Sequence, residues 1–260
     1  MCEYLLITIN LFLIKFYQYF FYLYHAPYII RQIPETLAIL SNLCYSVPYK
    51  NRKSIKNRRD STMPKLLYQG HGSFRLTSDD GVVVFIDPFL GTGYDMPADV
   101  ILITHQHEDH NQISLITQKP GCTIISNVEA LADGKHNSFS LRNLKIEAVE
   151  AGYNKGHSIE DSVGFIITID GLQLYFCGDT SKTPQMATFA ARKLDYAFLC
   201  ADGFYNMDLE EAAQCAQLIG ARHNVPVHLK PGELFDREMA EQFKGPNRLI
   251  IEAGEEIKLS

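Results

Sequence analysis

Ile101-Leu102-Ile103-Thr104-His105-Gln106-His107-Glu108-Asp109-His110 sets an apolar run directly against four potential metal ligands. The run has the length and branching of a buried strand, and His105, His107, Asp109 and His110 follow it within six residues. Imidazole and carboxylate suit Zn, Mn or Fe, and such tight spacing on a loop lets the side chains fan out around two ions. A plain solvated loop would be a poor use of these residues, because the protonated histidines would repel one another unless a cation compensated.

Similar placements recur to either side of this stretch. Asp87 follows the apolar run Val82 to Ile86, Asp179 follows Leu172 to Cys177, and His228 follows Val225 to Val227, while His157 lies in a Gly-containing loop, Gly152 to Glu160. Four of these five loci are the C-terminal ends of expected strands, where α/β scaffolds place chemistry. His71, flanked by Gly70 and Gly72, is a candidate pocket residue. His25, His136 and His223 fit no such pattern.

The remaining chain alternates short apolar runs with turn signals and amphipathic stretches. Phe74 to Leu76 and Val82 to Ile86 flank Ser-Asp-Asp-Gly, and Ser162 to Ile169 and Leu172 to Cys177 flank Asp170-Gly171, so both pairs are expected as hairpins. Further strands are expected at Leu66 to Tyr68, Val100 to Ile103, Thr123 to Ile125, Leu144 to Val149, Tyr196 to Leu199, Val225 to Val227 and Leu249 to Ile251. Helices are expected at Val128 to Ala132, Lys182 to Lys193, Leu209 to Ile219 and Leu234 to Phe243, the third opened by a capping box of Asp208 and Glu211. This mixture predicts an α/β or α+β layered domain.

Composition agrees with a soluble globular protein and excludes collagen, coiled coil and outright disorder, at 46% hydrophobic and 21% charged. The charge is unevenly divided. Residues 1–62 carry 8 Lys/Arg against 3 Asp/Glu, which leaves 16 against 27, a net −11, for residues 63–260. A polyanionic partner normally meets a basic surface, so the acidic portion argues against nucleic acid. Six scattered cysteines without a C-x-x-C pair suit a reducing, cytoplasmic setting, with Cys177 and Cys200 buried as small hydrophobes.

Residues 1–62 are expected to stand outside the fold. Their aromatic run, Tyr4 to Tyr24, is interrupted by Asn10, Lys15 and Gln18, which makes it a weak membrane anchor, and no signal-peptide pattern surrounds it. The basic stretch Lys50 to Arg59 has the character of a solvated tail. The expected division is therefore an extension over 1–62, a misassigned start or weak anchor, and a folded domain over 63–260 that opens at Met63.

With these residues in place, the sequence resembles the metallo-β-lactamase-fold superfamily of metal-dependent hydrolases. The likeness rests on H-x-H-x-D-H at His105, His107, Asp109 and His110, followed in order by His157, Asp179 and His228. Tyr68 to Phe74 (YQGHGSF), Ile86-Asp87-Pro88 and Ile250 to Ile257 (IIEAGEEI) bring it nearest the small bacterial enzymes related to ascorbate-6-phosphate lactonase. The resemblance spans residues 63–260 and implies a four-layer αββα sandwich. It further implies that His105, His107 and His157 hold one divalent ion and Asp109, His110 and His228 a second, with Asp179 bridging them and Asp87 supporting the ligand loop. Zinc is the first expectation, with manganese or iron able to replace it. The implied reaction is attack by a metal-bridging hydroxide on a small-molecule lactone, ester, amide or phosphoester, with Asp109 as the catalytic proton acceptor. The competing classes are a metal-dependent nuclease and a non-catalytic metal-binding module. The acidic charge disfavours the nuclease, and the intact ligand set disfavours the non-catalytic module.

Overall fold

A computed structural model describes residues 63–260 of the 260-residue chain. The aromatic run and the basic stretch before Met63 lie outside the described residues.

Each expected hairpin closes through residues suited to its turn. Strands β2 (Ser73–Thr77) and β3 (Val83–Ile86) are joined through Ser78 to Gly81, where Gly81 donates its N–H to Ser78 O at 3.1 Å. Strands β8 (Val163–Ile169) and β9 (Leu172–Phe176) are joined through Asp170 and Gly171 at φ of 49° and 86°, positive at both positions as a two-residue hairpin of this hand requires.

The other strands of the first sheet are β1 (Lys65–Gly70), β4 (Ala98–Leu102) and β5 (Gln118–Ile125). Those of the second are β6 (Ser138–Leu141), β7 (Leu144–Glu150), β10 (Tyr196–Cys200) and β11 (His223–Val227). A last strand, β12 (Glu256–Lys258), returns to the first sheet. The orders are β12-β1-β2-β3-β4-β5 and β11-β10-β9-β8-β7-β6.

The two sheets repeat one pairing scheme. β1/β2 and β2/β3 are antiparallel and β3/β4 and β4/β5 parallel. In the same succession β7/β8 and β8/β9 are antiparallel and β9/β10 and β10/β11 parallel. No sequence repeat announces this, because apolar strand residues are interchangeable at constant pattern.

Both faces of the central strands are buried, so side chains alternate between two apolar environments. In β3, Val84 and Ile86 join the layer between the sheets with Leu102, Phe165, Phe176 and Phe198, whereas Val83 and Phe85 turn outward against Ile101, Ile103 and Ile116. The outer face of the second sheet is covered by α2 (Leu209–Ile219), through Ala212, Cys215, Ala216 and Ile219. Met186 and Phe189 of the 3₁₀ segment Pro184–Arg192 join it there, as does Ala240 of α3 (Arg237–Gln242). The short α1 (Asn127–Ala130) follows β5. Among the described residues, no helix is long and apolar enough to cross a membrane.

Two local expectations need correction. Leu249 to Ile251 forms no strand; the segment meets β11 only through a single bridge between Asn224 and Arg248. Asp208 does cap α2, accepting the Glu211 N–H at 2.8 Å, but the Glu211 side chain accepts from Lys182 N instead of closing a capping box. The reciprocal capping box stands at α1, between Ser126 and Glu129.

Candidate metal centre

The parallel strands deliver their C-terminal ends to one edge of the sandwich. Asp87 follows β3, the H-x-H-x-D-H loop follows β4, Asp179 follows β9, and His228 follows β11 directly. Three residues there hold left-handed backbone conformations without being glycine: His71 (φ 56°), Asp87 (45°) and His228 (47°). Such geometry is unfavourable for side chains of this size and persists only where the surroundings enforce it. Gly178 is at φ 62° where a Cβ would press within 3.0 Å of Thr104 and the Val163 carbonyl, so Asp179 depends on a neighbour without a side chain.

Among the described residues, potential ligand atoms gather in three overlapping groups, each within 4.8 Å. These are His105, His107 and His157; His71, Asp109, His110 and His228; and His105, His110 and Asp179. All seven residues of the expected ligand set are thus brought together, and His71 joins them. His136 and His223 do not; His223 stacks on Tyr196 at 4.7 Å. His25 lies outside the described residues.

Hydrogen-bond accounting fixes how the rings face. Asp87 accepts from Thr104 N (2.7 Å) and from Thr104 Oγ1 (2.6 Å), so that hydroxyl has spent its proton and must accept from His105 Nδ1 at 3.0 Å. The same carboxylate accepts from His110 Nδ1 at 3.0 Å. Asn154 Oδ1, already accepting two backbone N–H groups, accepts His157 Nδ1 at 2.9 Å, and Asp202 Oδ2 lies 3.2 Å from His228 Nδ1. Each of these four rings therefore turns its Nε2 inward. The Nε2 atoms of His105 and His157 each lie 3.1 Å from His107 Nδ1. Asp179 Oδ1 is 3.3 Å from His110 Nε2, and its Oδ2 is 3.4 Å from the Nε2 of both His157 and His228.

These residues fit divalent ions. The buried atoms His110 Nε2, His228 Nε2 and Asp179 Oδ1 have no hydrogen-bond partner, a costly state that a cation relieves. Ligand nitrogens on a tetrahedral zinc stand about 3.3 Å apart, close to the spacings found here. Charge coupling agrees. Burial would raise the Asp179 pKa, but His228, His110, His105 and His157 together hold it far below the usual carboxylate range. Burial, reinforced by His110, pushes His105 down to about 2 and leaves it a neutral donor. Burial also opposes protonation of His110, yet Asp179 and Asp87 outweigh it and lift that ring to about 9.

Asp202, Asn206, Asn154 and Thr104 complete the centre, and sequence reasoning did not single them out. Asn206 Nδ2 donates to Asp179 Oδ2 and to Asp202 Oδ2, both at 2.8 Å. A signal for Asp202 was present, since it follows the apolar run of β10 as Asp87 and Asp179 follow theirs. The solvent-facing members are His107, which is exposed, and Asp109, whose side chain is 36% exposed.

Residues 65–228 match the β-lactamase superfamily domain. The chain belongs to that superfamily. A metal-dependent hydrolase of Methanosphaera stadtmanae is 29% identical to this superfamily member, over 75% of this chain and 99% of that protein. A solved structure from Parabacteroides distasonis, described as a candidate metal-dependent hydrolase, is 30% identical with a TM-score of 0.58, covering 72% of this chain and 90% of that one. A metallo hydrolase from Ignicoccus hospitalis shares the fold at a TM-score of 0.60 and 24% identity, over 75% of this chain and 98% of that one. The architecture is the α/β sandwich of the metallo-β-lactamase fold.

Proposed function

We propose that this protein is a dinuclear metal-dependent hydrolase of a small-molecule lactone, ester, amide or phosphoester. The observation that carries the reading is Asp179, whose Oδ1 faces His110 and whose Oδ2 faces His157 and His228, so both ligand groups meet on one buried carboxylate. In this reading His105, His107 and His157 hold one ion and Asp109, His110 and His228 the other, with zinc first and manganese or iron as substitutes. Divalent ions supply Lewis-acid polarisation and an activated water at neutral pH.

The chain's own residues do the rest. Asp87, Asn154 and Asp202 hold the imidazoles in the tautomer that leaves Nε2 free, as oxygen partners of ligating histidines do. In this reading Asp109, whose side chain is 36% exposed, takes a proton from the attacking water. Four described cysteines are all free thiols, which supports a reducing, cytoplasmic setting.

The test is a panel of lactones, thioesters, phosphodiesters and oligonucleotides, assayed with Zn- and Mn-loaded protein. Lactones lead the panel because of the lactonase-like motifs. Turnover of a small-molecule member with two metal equivalents per chain is expected. One equivalent at saturation would contradict the dinuclear site, and turnover confined to oligonucleotides would overturn the substrate class.

A further inference from the structure

The buried rings His105, His110, His157 and His228 share one orientation, with Nδ1 toward an oxygen and Nε2 turned inward. His71 shares it, although it is not among the seven expected ligands. Its Nδ1 lies 3.0 Å from the Glu233 carbonyl oxygen, which can only accept, so Nδ1 carries a proton and Nε2 points inward, as in the other rings. That nitrogen faces Asp109 Oδ2 at 3.1 Å. Two inward-facing ligand atoms this close can share either a proton or a metal cation, and His110 and His228 stand within reach of the same ion.

The backbone around His71 is built to hold the ring there. The side chain is fully buried at φ 56°, its N–H donates to Leu234 O, and its carbonyl accepts from His228 N at 3.0 Å and from Tyr68 Oη at 2.9 Å. A Cβ on Gly72 would lie 2.9 Å from His110 Cε1, so the turn presses directly on a ring of the centre.

The repeated strand scheme adds a second, independent argument. The β1–β2 turn that carries His71 corresponds to the β7–β8 connection that carries His157. His157 completes the group of His105 and His107, and His71 stands in the same relation to Asp109, His110 and His228.

We propose that His71 is a ligand of the second metal ion, alongside Asp109, His110 and His228. The inference rests on the dinuclear reading above. The rival account is a doubly protonated His71 that only donates a hydrogen bond to Asp109.

Cobalt(II) and zinc titrations of wild type, His71→Ala and His71→Asn separate these accounts, together with a crystal structure of the zinc-loaded wild type. Asparagine can still donate to Asp109 but is a poor ligand. If His71 ligates, both variants keep the first ion, which also reports that they fold, and bind the second at least roughly tenfold more weakly. The structure should place Nε2 about 2.0–2.1 Å from the second ion. Retention of wild-type second-ion affinity by His71→Asn, or an Nε2 outside coordination distance of both ions, would overturn the inference while leaving the dinuclear reading intact. Should the variants not fold, the zinc-loaded structure alone decides. A wild type that saturates at one ion would overturn the dinuclear reading, and this inference with it.

Discussion

Replacing Asp202 with asparagine tests whether a residue outside the ligand set aims the centre. Oδ1 of Asp202 accepts the N–H groups of Phe204 (2.7 Å), Tyr205 (2.7 Å) and Asn206 (3.3 Å). Oδ2 accepts Asn206 Nδ2 at 2.8 Å and lies 3.2 Å from His228 Nδ1. An asparagine has one acceptor, which the three backbone groups claim, so its NH₂ must replace Oδ2 and set donor against donor twice. The Asn206 hydrogen bond and the His228 contact are both lost, at about 1–3 kcal/mol for each group left unmatched, giving roughly 2–6 kcal/mol in unfolding free energy. His228 loses the partner that fixes its tautomer, at a cost of about 10- to 100-fold in metal affinity or activity. The assay combines denaturant unfolding of metal-free protein, competitive zinc titration and ¹⁵N imidazole spectra. Unchanged second-ion affinity together with an unchanged His228 spectrum would refute the reasoning.

Asp179→Asn removes one unit of charge from the middle of the centre. At about 4 Å and an effective dielectric near 20 this is worth roughly 4 kcal/mol per unit of ion charge, so the second ion should bind at least about a thousandfold more weakly, read by metal titration, and turnover should fall by at least about a hundredfold. Asp99 is buried beneath Lys119 (2.6 Å) and Arg142 (2.9 Å) and accepts Val83 N–H at 2.9 Å. Burial would raise its pKa, but Lys119 and the Val83 amide outweigh that and lower it. Its stabilising contribution is therefore present above the unfolded carboxylate's pKa of about 3.9 and lost as pH falls through the depressed folded value. Asp99→Asn should cost on the order of 1–3 kcal/mol at pH 7, with the gap to wild type closing in acid; a gap independent of pH would contradict this. A chain starting at Met63 is expected to unfold cooperatively and to bind metal with full-length affinity, and calorimetry showing no transition would defeat that division of the chain.

What was legible in the sequence was whatever a local pattern encodes. Hairpins follow from Asp-Gly chemistry, α2 from Asp208 and its apolar stripe, and four of the five ligand loci from polar residues ending apolar runs. Elements governed by partners elsewhere were harder to see. Lys119-Pro120-Gly121, near the start of β5, has turn residues and falls in the irregularity between the Ala98–Gln118 and Val100–Thr123 pairs, inside a strand at the sheet edge. Leu249 to Ile251 is strand-like in composition but lacks a ladder, and β12 is only three residues long, specified by its pairing with β1. The Asn206 contact with both carboxylates exists only because the loops after β9 and β10 meet. No spacing rule encodes a convergence of that kind.

Because the second sheet supplies His157, Asp179 and His228 and the first supplies the rest, an ion at their common edge braces one sheet against the other. At the opposite edge, among the described residues, the sheets are joined by polar contacts such as Arg142 with Asp99 at 2.9 Å instead of by a ligand cluster. There the β2–β3 and β8–β9 turns meet through the Asp79 N–H on Asp170 Oδ2 at 2.7 Å. Ligand that binds only the native state adds about 2.7 kcal/mol at a hundredfold excess over its dissociation constant. Amide exchange should therefore slow on metal addition in the loops after β4 and β9, while the two distant turns keep their metal-free rates. How long this protein survives a protease or a warm solution would then depend on the free metal around it.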